Sequence, residues 1–322
     1  MRDSLGLLPH LRRRSPGTLV AVLSVIALAG ALQVSVRVFD RVPHVEDEVA
    51  FVFQANVFAS GQVLAEAPEQ PEFFRAPFVI VHEGHWFGKY TPGFPLVMAP
   101  GALIDRPWLV NPLLAALCVW LVYVIGRRLY GTSTGLVGAA FLVVSPFFLL
   151  QAGSLMSHLA SLLWTLLFLL LFEAAHRTRL PLPALGAGAA LGMLFLTRPL
   201  TAVGVALPFL IWCGIYVARD RRRFLGYVPI ALAFAPFVGA LLLWNQITTG
   251  DPFKSAYVLW WPYDRIGFGE GVGVEGSHSL GDGWRFLKIN FGWLLRYLYG
   301  WPGRTSLIPA ALASLVALGQ LT

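Results

Sequence analysis

The chain has 322 residues, 57% of them hydrophobic, with a mean hydropathy of +0.66 and a formal net charge of +7. That apolar content exceeds what a soluble domain buries, and several apolar runs approach the roughly 20 residues that cross a bilayer. The placement of charge excludes a nucleic-acid-binding face. The cations stand in short clusters between apolar runs rather than interleaved with aromatics on one surface. An all-α polytopic membrane protein is expected.

In chain order, the first apolar run covers residues 18–36 and follows "LRRRSPG", with Arg12 to Arg14 as the first cationic cluster. Its small residues, "ALAGAL", would suit a cleaved signal peptide, but its length favours an uncleaved anchor. With that cluster inside, residues 37–106 form a first outer loop holding most of the acids. Within it, Glu46, Asp47 and Glu48 open the segment "VAFVFQANVFAS", which Gly61 closes. The pattern predicts a helix whose N-terminus the acids cap and charge. One carboxylate kept ionised there would also suit a general base. "PGFPLVMAPGALI" is apolar but short and broken by Pro92, Pro95 and Pro100. It predicts an interfacial or re-entrant helix, so amphipathic helices are expected in this loop.

"NPLLAALCVWLVYVIGRRLYG" then reads as a span ending inside at Arg127 and Arg128. A return span over 136–150 leads to "QAGSLMSH", and 159–175 delivers "HRTR" inside. "ALGAGAALGMLFL" and "TAVGVALPFLIWCGIYV" flank an outer turn at Thr197, Arg198 and Pro199, and "ARDRRRF" returns inside. The run 227–244 exits into a last outer loop, about 245–299, rich in Gly and aromatics. A final apolar stretch starts at Ser306, giving about eight spans in all, with cations at each inner turn. Gly186, Gly188 and Gly192 predict close helix packing. Cys118 and Cys213 lie inside apolar runs and read as packing residues, not a disulfide.

The unusual polar residues therefore fall on one side. Asp47 and Glu48 share it with Lys89, Ser157, His158, Arg198 and the last-loop residues Lys254, Asp264, Arg265 and His278. Ionisable groups at membrane depth are costly and tend to be paired or functional. An Arg at the outer turn, against the positive-inside trend, calls for an anion such as a lipid phosphate. His82, Glu83, His85 and His278 offer ligand chemistry without a recognised spacing, so a divalent metal is left open. A transporter or lipid flippase would instead place ionisable residues near mid-membrane, in broken helices of paired halves. A non-catalytic scaffold relative is a further alternative.

At these residues the sequence resembles a known family. "DE" after the first span, "GKYTPGFPL", "VYVIGRRLYG", "SPFFLLQAGSLMSH" and "LGMLFLTRP" occur in family order, over roughly 36–269. The chain is similar to the GT-C membrane glycosyltransferases of the glycosyltransferase 39-like group, which includes protein O-mannosyltransferases and the lipid A aminoarabinose transferase. The resemblance implies a single GT-C-like helix bundle over 1–322, C-terminally truncated relative to the family. It also implies inverting transfer of a hexose or pentose from a polyprenyl-phosphate donor to a lipid, glycan or protein acceptor. The reaction would face outward from the inner (cytoplasmic) membrane, with the N-terminus cytoplasmic. By residue, it implies Asp47 as the catalytic acid with Glu48 beside it. Lys89, with Tyr90 next to it, and Arg198 would meet the donor and its lipid phosphate. Many relatives carry an acid where this chain has Ser157 and His158. His158 and His278 are therefore expected only as substrate or metal contacts.

The expected topology is tested by single-cysteine labelling, with Cys118 and Cys213 replaced by Ala. Gln62→Cys and Ser277→Cys should react with an impermeant maleimide on intact cells, and Arg221→Cys only after permeabilisation. Reaction at position 221 from outside would reverse the topology.

Overall fold

The computed structural model of the chain describes residues 15–312. Arg12 to Arg14 and most of the final stretch from Ser306 lie outside the described residues. In chain order the helices are α1 (Pro16–Arg37), α2 (Glu46–Ala59), α3 (Gly93–Ala102), α4 (Val110–Tyr130), α5 (Thr132–Val143), α6 (Pro146–Gly153) and α7 (His158–Thr178). They continue as α8 (Pro181–Thr197), α9 (Pro199–Arg219), α10 (Phe224–Thr249), α11 (Tyr257–Trp260) and α12 (Leu280–Tyr297). Strands β1 (Ala65–Glu66), β2 (Val79–His82) and β3 (His85–Gly88) form one antiparallel sheet in the order β1-β3-β2. Strands β4 (Gly269–Glu270) and β5 (Ser277–His278) pair in a second. The protein is an all-α polytopic membrane protein.

Among the described residues, five helices are long and apolar enough to cross a membrane: Pro16–Arg37, Pro107–Tyr130, His158–Thr178, Pro199–Arg219 and Arg221–Thr249. Two of the spans expected from sequence are not long straight helices. The return span over 136–150 is not one helix, because α5 and α6 meet at a 63° bend. Pro146 causes it, since it supplies no N–H to α5 and disfavours helical backbone at Ser145. Ser145 instead caps α6, its hydroxyl accepting from the Phe148 N–H at 3.2 Å. The other is α8, whose 17 residues reach about 25 Å at 1.5 Å per residue, at the short end of what crosses a bilayer.

Two groups of helices share the core. α4 packs against α1, α5 and α7, while α8 lies between α7 and α10. The glycines of α8 permit this approach, as their spacing predicted. A Cβ on Gly188 would stand 2.2 Å from the Ile230 carbonyl oxygen of α10, and one on Gly192 2.2 Å from the Phe237 ring. The basic helix ends gather at one end of the bundle. Glu173 pairs with Arg177 at 2.9 Å and with Arg128 of α4 at 3.6 Å. Beside them His176 packs on Trp212, Tyr216 and Tyr227, and Arg223 lies 5.0 Å from the Tyr216 ring.

Two outer-loop expectations change. α3 is buried along most of its length, against α2 and α8, which speaks against the interfacial alternative but not the re-entrant one. A helix this apolar on all sides belongs inside. The stretch 245–299 is not all loop, since α12 occupies 18 residues of it. Its stripe of Leu280, Trp284, Leu287, Phe291 and Leu294 follows the helical repeat and remains exposed. A capping box fixes its start. The Ser279 hydroxyl accepts from the Asp282 N–H at 3.2 Å, and the Asp282 carboxylate accepts from the Ser279 N–H at 2.9 Å.

Gly188→Ala should force α8 away from α10 and destabilise the bundle by about 1–3 kcal/mol. Gly204→Ala in α9 is the control, because a Cβ there meets nothing within 4 Å. Thermal unfolding in detergent should show a lower midpoint for the first variant only.

Candidate active site

The end opposite the basic cluster is built on two interruptions of helix. Between α6 and α7, residues 154–157 are non-helical, and Ser154, Leu155 and Ser157 are buried. Their backbone groups need partners, because lipid supplies none. Asn111 of α4 donates from Nδ2 to the carbonyls of Ser154 (2.7 Å) and Met156 (2.8 Å). Ser35 of α1 donates to the Gly153 carbonyl at 2.7 Å. The Leu155 N–H donates to Glu48 Oε1 at 2.8 Å. Ser157 and His158 are thereby fixed at the head of α7.

The second interruption is Arg198, between α8 and α9. Its backbone is extended (φ −150°, ψ 89°), as a residue preceding proline requires. The first outer loop docks on this turn. Thr91 Oγ1 donates to the Thr197 carbonyl at 3.2 Å, and a Cβ on Gly93 would lie 2.4 Å from the Leu196 carbonyl carbon. Arg198 Nη1 reaches the Ser157 hydroxyl at 3.4 Å, so the two interruptions meet.

The three acids at the start of α2 have separate fates. Glu46 is exposed. Glu48 is 2% exposed, and its second oxygen accepts from the His44 N–H at 2.7 Å. Asp47 accepts a short hydrogen bond on Oδ1 from the Tyr90 hydroxyl. Burial, reinforced by that bond, holds the Tyr90 phenol far above its usual pKa, so it stays a donor. Gln54 fixes the approach of Tyr90 to α2, donating to the Val63 carbonyl at 2.9 Å and accepting from the Gly88 N–H at 3.0 Å.

A cavity of about 1400 Å³ opens over these groups. Asp47, Tyr90, Ser157, His158 and Arg198 line its floor. Phe195, Leu200, Val203 and Leu241 form an apolar wall, and Tyr257, Trp261, Asp264 and His278 of the last loop complete the enclosure. His158 Nδ1 is buried without a hydrogen-bond partner among the described residues. His278 is stacked between Phe268 and Phe286.

Of the residues expected from sequence, Asp47, Tyr90, His158, Arg198 and His278 converge on this cavity, whereas Glu48 and Lys89 do not line it. Glu48, expected as the neighbour of the catalytic acid, is buried and each of its oxygens accepts from a backbone N–H. Lys89, expected to contact the lipid phosphate, stands on a carboxylate in this structure. It is 3% exposed, its ammonium pairs with Asp264 at 3.3 Å, and the rings of Phe78 (3.9 Å) and Trp261 (4.4 Å) enclose it. His82, Glu83 and His85 sit on the β2–β3 hairpin, outside the cavity lining. No group of three or more His, Cys, Asp or Glu among the described residues could hold a metal ion.

Comparison with known proteins adds one match. Residues 104–244 fit the family model described as dolichyl-phosphate-mannose-protein mannosyltransferase. That match supports a GT-C type glycosyltransferase. No curated protein and no solved structure matches the chain. The family supports a multi-pass membrane glycosyltransferase with a polyprenyl-phosphate sugar donor. The matched stretch carries Ser157, His158 and Arg198. Asp47, Tyr90 and Asp264 lie outside it.

Sequence reasoning passed over Asn111, Tyr257 and Trp261, and noted Asp264 only among the polar residues of the last loop. A polar Asn heading an apolar span was the available signal for Asn111. Nothing local marked Asp264, whose role depends on a partner 175 residues away.

Glu48→Ala should leave the buried Leu155 N–H unpaired, remove the acceptor of the His44 N–H, and lower stability by about 1–3 kcal/mol. Glu48→Gln, which retains an acceptor oxygen, should lose less. Equal unfolding midpoints for Glu48→Ala and wild type would contradict the tie between α2 and the α6–α7 connection.

Proposed function

We propose that the cavity catalyses inverting transfer of a sugar from a polyprenyl phosphate to an acceptor at the outer face of the cell's inner membrane. The observation carrying this proposal is that Arg198 lines one cavity together with Asp47 and the apolar side chains Phe195, Leu200, Val203 and Leu241. It also stands where two helix N-termini open. Ser157 and His158 head α7, and Pro199, Leu200 and Thr201 begin α9. Free N–H groups and the helix dipoles favour an anion there, and a guanidinium adds paired donors. The polyprenyl chain lies along Phe195, Leu200, Val203 and Leu241, and its phosphate sits at Arg198.

Asp47 then acts as the base. Tyr90 occupies Oδ1 and orients the carboxylate, leaving Oδ2 for the acceptor hydroxyl. As Oδ2 takes the proton, the acceptor oxygen bonds to the anomeric carbon. The bond from that carbon to the phosphate oxygen breaks, and the electron pair leaves with the phosphate. Arg198 and the two helix ends stabilise the charge that develops there. The outward orientation, with the N-terminus cytoplasmic, is supported by the gathering of Arg128, Arg177 and Arg223 at the opposite end, as cytoplasmic helix ends favour.

The test is Asp47→Asn, which preserves size and the Tyr90 contact. Transfer from radiolabelled polyprenyl-phosphate mannose to membrane acceptors should fall by about a hundredfold or more. The unfolding midpoint should stay within a few degrees of wild type. Undiminished transfer by this variant would remove Asp47 from the reaction.

A further inference from the structure

Lys89 and Tyr90 are consecutive residues, yet each holds a different carboxylate. Tyr90 donates to Asp47 on α2, while Lys89 pairs with Asp264 on the last outer loop. Both acids line the cavity, and Lys89 does not. Its ammonium has Phe78, Trp261, Tyr257 and Tyr90 within 3.9, 4.4, 5.2 and 5.4 Å of the ring centroids. The rings attract the ammonium and hold it in place, while Asp264 matches its charge. Asp264 itself is anchored by its N–H, which donates to the Trp261 carbonyl at 2.9 Å. Its side chain is 36% exposed, with Oδ2 on Lys89.

We propose that Asp264 is a second substrate-binding carboxylate that accepts hydrogen bonds from hydroxyls of the donor's sugar, and that Lys89 is its positioning residue. This rests on the polyprenyl-phosphate sugar assignment above. A carboxylate that lines a cavity with one oxygen held by a buried cation is suited to hydroxyl recognition, since it only accepts and its charge strengthens each bond. Asp264 also ties the two outer loops together, so the sugar subsite forms only when the last loop lies over the first. Burial lowers the pKa of Lys89 and Asp264 raises it in part, so loss of either partner leaves the other with an unmatched charge or an untethered loop.

The test compares two lipids by the fluorescence of Trp261, which lines the cavity. The probes are polyprenyl phosphate and the tighter-binding of its mannose and glucose esters, with the full chain in nanodiscs. Wild type should bind the sugar lipid more tightly than the bare phosphate. Asp264→Asn should erase that increment, weakening the sugar lipid about tenfold while leaving polyprenyl phosphate unchanged. Lys89→Met should reproduce the loss, and Lys89→Arg should largely restore wild-type binding. The double variant Asp264→Asn/Lys89→Met leaves no unpaired cation, so it keeps the test valid if Asp264→Asn alone folds poorly. Its loss should match that of either single change. Unchanged sugar-lipid binding in Asp264→Asn, equal weakening of both lipids, or no increment in wild type would overturn the inference. Failure of wild type to bind either lipid would instead overturn the donor assignment itself.

Discussion

One buried carboxylate organises the cavity end of this protein. Glu48 accepts from the N–H of His44, just before α2, and from the N–H of Leu155, between α6 and α7. The first bond fixes how α2 begins, the second where it sits on the bundle. Without the pair, Asp47 at the preceding position would have no defined relation to Ser157 and His158. A charged acceptor strengthens both bonds, and its burial makes any unpaired alternative costly. Position 48 is thus tied to the bundle interior while position 47 reaches the cavity.

The cavity itself follows from breaking helices where lipid would otherwise demand continuity. Chain leaving a helix near the bilayer exposes N–H and C=O groups, and such breaks persist only where protein supplies partners. Ser35, Asn111 and Glu48 do so at the α6–α7 connection, and Thr91 at the α8–α9 turn. Each break also begins a helix, so two N-termini open on the same side as Arg198. The anion site, the apolar wall and the docked first loop therefore share one origin. Both interruptions had to lie at the same end of antiparallel neighbours.

Much of this was legible in the sequence, for identifiable reasons. Apolar run length and cation clusters marked the spans, and the order of the runs put Asp47, His158, Arg198 and His278 on one side. Proline at position 146 was equally visible, but whether it kinks or ends a span depends on what packs around it. α12 escaped because its apolar residues are spaced by the helical repeat and diluted with Gly, Arg and Lys, so no continuous run appears. The partners of Lys89 and Glu48 were not legible for a shared reason. Sequence gives the type of an ionisable group and its approximate depth, but not which way it turns. That is decided by tertiary partners, Asp264 and the aromatic cage for one, Leu155 for the other.

The direction taken by Lys89 follows from local backbone. β3 ends at Gly88, pressed so closely on α2 that a Cβ there would stand 2.9 Å from the Ala50 carbonyl oxygen. The Lys89 N–H then donates to the Phe78 carbonyl at 2.9 Å, extending the sheet by one residue. Beyond that bond the chain bends at Lys89 and Tyr90, which frees their polar ends to take separate partners. Two neighbouring residues can therefore serve two different elements, Lys89 turning to the last loop and Tyr90 to α2. A helix at this point would have set them about 100° apart on one surface, too close to separate two acids of the same charge. The small β-sheet, a minor part of an otherwise helical protein, is what allows both outer loops to meet at one cavity with their carboxylates individually held.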